Sequence, residues 1–164
     1  MMEKGEGKDR KEITMIYTKM TVHAMQVAYE AHHGQYDQNG VPYIFHPYHV
    51  AEQMTDEVSV CVALLHDVVE DTSVTMEELE KIFPTEVTEV MRLLTHDPKV
   101  DYDAYVRAAA AHPVARRVKL ADVLHNADQS RIVDATLVSP EKAAKWRAKY
   151  QKAREILETA EERA

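Results

Sequence analysis

Glycine is scarce in this chain, with four residues in 164 and none after Gly40. That excludes a phosphate-cradling P-loop from most of the sequence, and with it a kinase or ATPase of that kind. Cysteine occurs once, at Cys61, so neither a disulfide framework nor a thiolate metal site is available. No apolar run approaches the roughly 18 residues of a membrane span, and the opening residues lack the order of a secretion signal. The expectation is a soluble cytoplasmic protein with no membrane partner. Lysine and arginine are missing altogether from Met20 to Glu80, a stretch that holds eleven Asp and Glu. With a formal net charge of −8, the chain lacks the basic face a nucleic-acid binder needs. An anionic substrate would have to be met in this half by something other than side-chain cations. A bound metal ion would serve.

What is present favours helix. Apolar residues make up 45% of the chain, and the long segments are rich in Ala, Leu, Glu, Lys and Met. The length fits one domain with one substantial core. The charged opening MMEKGEGKDRKE reads as a flexible tail over residues 1–12, leaving residues 13–164 as the folded unit. Helical spacing runs from Ile13 to about His33, and Gly34, Asn39-Gly40 and Pro42 then spell a loop. A new helix starts within HPYHVAEQM, with Pro47 in its first turn. A strongly apolar helix is expected from about Asp56 to Glu70. Thr75 and Glu78 form a capping-box pair that opens a short helix, which Pro84 ends. Further helices are expected over Thr85–Thr95, Tyr102–Ala111 and Val114 to about Arg131. Ser139-Pro140-Glu141 spells the start of a last helix reaching about Glu161. The sum is an all-α domain of about seven to nine helices, with no repeat and no linker.

One stretch carries chemistry. In CVALLHDVVEDT, Cys61 to Thr72, a histidine and three carboxylates interrupt an apolar run. On one continuous helix His66, Asp67, Glu70 and Asp71 would share an arc of about 140°. Such an arc is open to two readings, the wet edge of an amphipathic helix or a metal site. The apolar flanks favour a site, because part-buried carboxylates need a neutralising cation. Histidine and carboxylate together suit zinc, manganese or iron, and open octahedral ligation suits manganese or magnesium. Two further ligands are on offer, each with a plain alternative. His46 sits at a loop-to-helix junction and could instead cap the helix. Asp122 lies among Val118, Leu120, Ala121, Val123 and Leu124, and could instead pair with Arg116, Arg117 or Lys119.

Three segments now align into a pattern: GVPYIFHP (Gly40 to Pro47), ALLHDVVEDT (Ala63 to Thr72) and VKLADVLHN (Val118 to Asn126). In order and spacing they resemble the HD-domain metal-dependent phosphohydrolases. The likeness is in particular to the hydrolase domain of RelA/SpoT-type alarmone enzymes and their small single-domain relatives, and it spans about Val22 to Tyr150. The resemblance implies an HD-domain helical bundle and one Mn²⁺ held by His46, His66, Asp67 and Asp122. It also implies that Glu70 and Asp71 position the attacking water and handle its protons, and that Asn126 and Tyr150 contact a nucleotide. The family carries an Arg-Lys pair where Tyr36-Asp37 stand, and a basic residue where Val123 stands. An aspartate beside a polyphosphate is repulsive, whereas Tyr36 can stack on a base. Lys99, Lys119 and Arg131, from the basic half, are the candidate phosphate contacts, the alternative being a plain solvated-surface role for each.

The other histidines attract simpler readings. His32 and His33 end a helix, where a cation is favourable. His49 shares the side of His46, His125 is expected to point away from Asp122, and His23, His96 and His112 carry no signal. The function expected is Mn²⁺-dependent release of pyrophosphate from a guanosine 3′-diphosphate-type nucleotide. The alternatives are a phosphatase acting on another nucleotide or a 2′- or 3′-phosphorylated cofactor, and a nucleotide-binding, antitoxin-like protein with weak catalysis. The partner is thus a small phosphorylated nucleotide, and nothing in the chain sets its oligomeric state.

Overall fold

The structure, a computed structural model, describes residues 14–164, so the tail expected over residues 1–12 lies outside the described residues. Among these, nine α-helices and one 3₁₀ turn form the architecture: α1 Lys19–Ala31, α2 Phe45–Glu52, α3 Glu57–Leu65, α4 Val68–Asp71, α5 Met76–Glu80, α6 Thr85–Leu94, α7 Tyr102–Ala110, α8 Pro113–Ala127, a 3₁₀ turn Gln129–Arg131, and α9 Pro140–Glu162. The all-α expectation holds. No helix among the described residues is long and apolar enough to cross a membrane.

α3 is apolar on every side and sits in the middle, packed against α1, α2, α6 and α8. Seven consecutive residues, Ser59 to Leu65, are buried, as expected of a helix enclosed by others. Around them pack Ala24 and Ala28 of α1, Val50 and Ala51 of α2, and Val87, Val90, Met91 and Leu94 of α6. A second cluster, Tyr105, Val106, Val123, Ala153 and Leu157, joins α7 and α8 to α9.

Most helix starts follow their caps. Thr75 and Glu78 make the expected capping box, and Ser139 Oγ accepts the Lys142 N–H at 3.2 Å. Ser139→Ala is expected to cost about 1 kcal/mol, read as a lowered urea midpoint at unchanged slope. α1 starts at Lys19 rather than Ile13, because Thr18 and Thr21 close a capping box there. His112, silent in the sequence, caps α8 by accepting the Val114 and Ala115 N–H groups. α8 ends at Ala127, short of the expected Arg131. There the Asp128 side chain accepts the Ser130 N–H at 3.0 Å and organises the 3₁₀ turn.

The largest departure concerns the apolar helix. The single helix expected from Asp56 to Glu70 is two, α3 and α4, with His66 and Asp67 in the turn between them. The His66 ring donates through Nδ1 to the Ala63 carbonyl at 2.6 Å. That carbonyl is the one a continuing helix would offer to the Asp67 N–H. The shared arc is therefore replaced by a break that aims two neighbouring side chains at one point.

Candidate metal centre and the cavity beside it

His46 comes from the first turn of α2, His66 and Asp67 from the break, and Asp122 from the middle of α8. One ligand atom each from His46, His66 and Asp122 lies within 4.8 Å of the others, and all three residues are buried. His46 Nε2 is 2.9 Å from Asp122 Oδ1, and His66 Nε2 is 3.6 Å from the same oxygen. Asp67 Oδ2 stands 3.1 Å from His66 Nε2 and 3.7 Å from His46 Nε2. The chain thus brings two imidazole nitrogens and two carboxylates together from three separate segments.

Each of these side chains is held from behind. With Nδ1 donating to Ala63, neutral His66 presents a bare Nε2 lone pair to the cluster. That Nε2 is buried and makes no hydrogen bond, despite its closeness to Asp67. A lone pair facing carboxylate oxygens is tolerated only with a cation between them, either a proton or a metal ion. Burial opposes protonation of His66, but Asp67 and Asp122 outweigh it and push the pKa well above the usual range. The orphaned nitrogen and the N₂O₂ donor set together fit a divalent metal. Asp67 Oδ2 also accepts the Tyr43 hydroxyl at 2.6 Å. Burial would raise the Asp67 pKa, but the charge of the adjoining His66 brings it down to about 2.

Asp122 is the most heavily engaged of the four. Its Oδ2 accepts Lys119 Nζ at 2.7 Å, and its Oδ1 accepts Asn126 Nδ2 at 2.8 Å. Residues at i−3, i and i+4 share a helix face, which explains the grouping. Against its burial, Lys119 first and the two histidines next hold Asp122 well below the carboxylate range. Lys119 is itself only 11% exposed and lies over the Tyr105 ring, 5.1 Å from its centre. It therefore acts on the site through Asp122.

Glu70 and Asp71 occupy the short α4 just beyond the cluster. A Glu70 oxygen accepts the His96 backbone N–H. The Asp71 carbonyl accepts Gln35 Nε2 at 2.7 Å, and Gln35 Oε1 bonds His32 Nδ1 at 2.8 Å. His32 is 1% exposed, so it braces α4 from within rather than serving as a surface cation at a helix end. Burial, reinforced by the Asp67 charge, raises the pKa of both carboxyls. Both are reached by solvent, and raised carboxyls of this kind suit proton transfer near neutral pH.

A cavity of about 320 Å³ adjoins the cluster, lined in part by Tyr36, Tyr43, Asn126, Arg131, Trp146 and Tyr150. Tyr43 and Asn126 belong to both, since each lines the cavity and hydrogen-bonds a cluster carboxylate. Asp37 does not face the cavity as a free charge. Its Oδ2 accepts Arg131 Nη2 at 2.9 Å, and its Oδ1 accepts the Asn39 and Val41 N–H groups at 2.8 and 3.0 Å. The repulsion expected from this aspartate is therefore met within the fold. Gly34 and Gly40, with φ of 79° and 81°, supply the left-handed turns that close this loop. Lys99 lies outside the cavity, exposed in the loop between α6 and α7.

His125 contradicts its sequence reading. It turns toward the cluster, and its Nδ1 lies 2.7 Å from His46 Nδ1. The i, i+3 spacing from Asp122 was the available signal. His96 and Gln35 offered none, because each acts on α4 across the fold.

Comparison with known proteins gives a consistent result. Residues 24–152 match the HD-domain family. The guanosine-3′,5′-bis(diphosphate) 3′-pyrophosphohydrolase MESH1 of Danio rerio is 38% identical over 122 residues, covering 66% of this chain and 68% of that protein. The Homo sapiens protein of the same name is 40% identical over 101 residues, covering 55% of this chain and 56% of its own length. The GTP pyrophosphokinase rsh of Brucella melitensis is 34% identical over 127 residues, 68% of this chain but 16% of that enzyme. Among solved structures, one described as a metazoan ortholog of SpoT that hydrolyses ppGpp superposes with a TM-score of 0.75. It is 26% identical, with 88% of each chain covered.

Proposed function

The chain belongs to the HD-domain family of metal-dependent hydrolases, and from that premise we propose that it releases pyrophosphate from the 3′ position of a guanosine 3′-diphosphate-type nucleotide, with Mn²⁺ as its metal. The observation that carries the proposal is the sharing of Tyr43 and Asn126 between the ligand cluster and the cavity. A nucleotide seated against Tyr36, Trp146 and Tyr150 then has its phosphates beside His46, His66, Asp67 and Asp122. The names of the similar proteins support the same substrate class.

A metal held by His46, His66, Asp67 and Asp122 would supply Lewis acidity there, polarising a phosphoryl oxygen and acidifying a water for attack near neutral pH. Glu70 and Asp71 orient that water, take its proton and return one to the leaving oxygen. Tyr36, Tyr150 and Trp146 offer faces for the base, and Asn126 holds the sugar-phosphate side while steadying Asp122. Lys119 keeps Asp122 ionised. Lys99 is left as a peripheral phosphate contact.

The Asp37–Arg131 pair favours a second reading. With that cation already engaged by Asp37, the cavity also suits a nucleotide that carries a single 2′- or 3′-phosphate. One experiment separates the two. The purified chain is given a nucleotide panel with Mn²⁺ and with chelator, and orthophosphate and pyrophosphate are assayed separately. Pyrophosphate from guanosine 3′,5′-bis(diphosphate), abolished by chelator, is the expected result. Orthophosphate from another nucleotide alone establishes the second reading, and no turnover in any arm refutes both.

A further inference from the structure

We infer that His125 is a positioning residue for the metal, setting the tautomer of its ligand His46. The inference rests on the reading of His46 as a ligand. A neutral imidazole has one N–H and one lone pair. For His46 Nε2 to bind a metal, the proton must sit on Nδ1, and that buried N–H needs an acceptor. In known metal sites the acceptor is commonly a carboxylate, a backbone carbonyl or a water. Here it is another imidazole, with His125 Nδ1 at 2.7 Å.

The ring geometry supports a hydrogen bond rather than incidental packing. The ring planes are within 13° of parallel with centres 5.0 Å apart, which with the 2.7 Å N···N distance fits an edge-to-edge N–H···N bond. His125 is in turn fixed on its other sides. His49 lies over its face, with ring centres 4.2 Å apart at 25°. Arg131 Nη1 donates to the His125 carbonyl at 2.9 Å. Whichever ring holds the shared proton without metal, a lone pair on His46 Nε2 places it on His46 Nδ1. His125 then accepts.

The chain has committed one further histidine and an arginine to holding this one acceptor. His49 does so only by packing, so the two histidines behind His46 separate in a test. Mn²⁺ affinity of the full chain is measured by electron paramagnetic resonance of the free ion, without substrate. His125→Phe keeps a ring and removes the acceptor, and it is expected to weaken binding by about 10–100-fold. His125→Asn, which restores an acceptor oxygen, recovers most of that loss, and His49→Phe leaves the affinity unchanged. Wild-type affinity in His125→Phe overturns the inference, as does an equal loss in His125→Phe and His49→Phe. Should His125→Phe not fold, ¹⁵N imidazole spectra of the zinc-loaded wild type decide. An unprotonated His125 Nδ1 supports the inference and a protonated one ends it. A wild type that binds no Mn²⁺ refutes the ligand reading itself, an outcome distinct from either.

Discussion

Glu70→Gln is expected to bind Mn²⁺ as tightly as the wild type and to lose about 10²–10⁴-fold in kcat. The amide preserves the hydrogen bond to the His96 backbone N–H, so α4 stays in place. What disappears is a carboxylate able to take a proton, one whose pKa burial has raised toward the working range. The contrast is Asp67→Ala, which removes an oxygen of the donor set and is expected to lose metal and turnover together. The two variants are compared by Mn²⁺ titration and by single-turnover kinetics. Loss of metal in Glu70→Gln would place that carboxylate among the ligands and contradict its assigned role.

Asp122→Ala is expected to lower the stability of the metal-free protein by about 3–5 kcal/mol, because it strands a buried charge. Lys119, 11% exposed, has no other carboxylate within ion-pair distance among the described residues. The side chains of His46 and Asn126 lose a partner at the same time. Burial opposes the charge on Lys119, and Asp122 more than restores it, raising the lysine well above its usual pKa. The sign with pH follows from the depressed pKa of Asp122. Its contribution is complete above the ordinary carboxylate range and is lost only as pH falls through the lower folded value. Urea denaturation at neutral pH in chelator measures the difference. A change below about 1 kcal/mol would show that Lys119 finds water instead.

Much of this was legible from residue order, and the residues show why the rest was not. His46, His66, Asp67 and Asp122 stand in apolar surroundings where an unpaired polar group is costly, so the sequence advertised them. The caps at Thr75 and Ser139 were legible because capping is local. The break at His66-Asp67 was not, since a side chain takes a backbone carbonyl there and no glycine or proline marks it. Thr18 was overlooked because the apolar spacing before it imitates one more helical turn. The pairing of Asp37 with Arg131 joins residues 94 apart in sequence. No local pattern encodes such a partnership, and the aspartate alone looked like a repulsive substitution.

The way the candidate ligands are distributed along the chain also bears on how the protein comes apart. His46 and Asp122 are separated by 76 residues, and the break at 66–67 joins them from a third segment. An ion held among these side chains is a temporary cross-link that closes long loops, of the kind that restricts an unfolded chain most. It exists only while α2, α3 and α8 are docked together. Local fraying at the chain ends leaves it untouched, whereas any opening that parts α8 from α2 dissolves it. An opening of that kind would also hand any bound ion to a strong chelator.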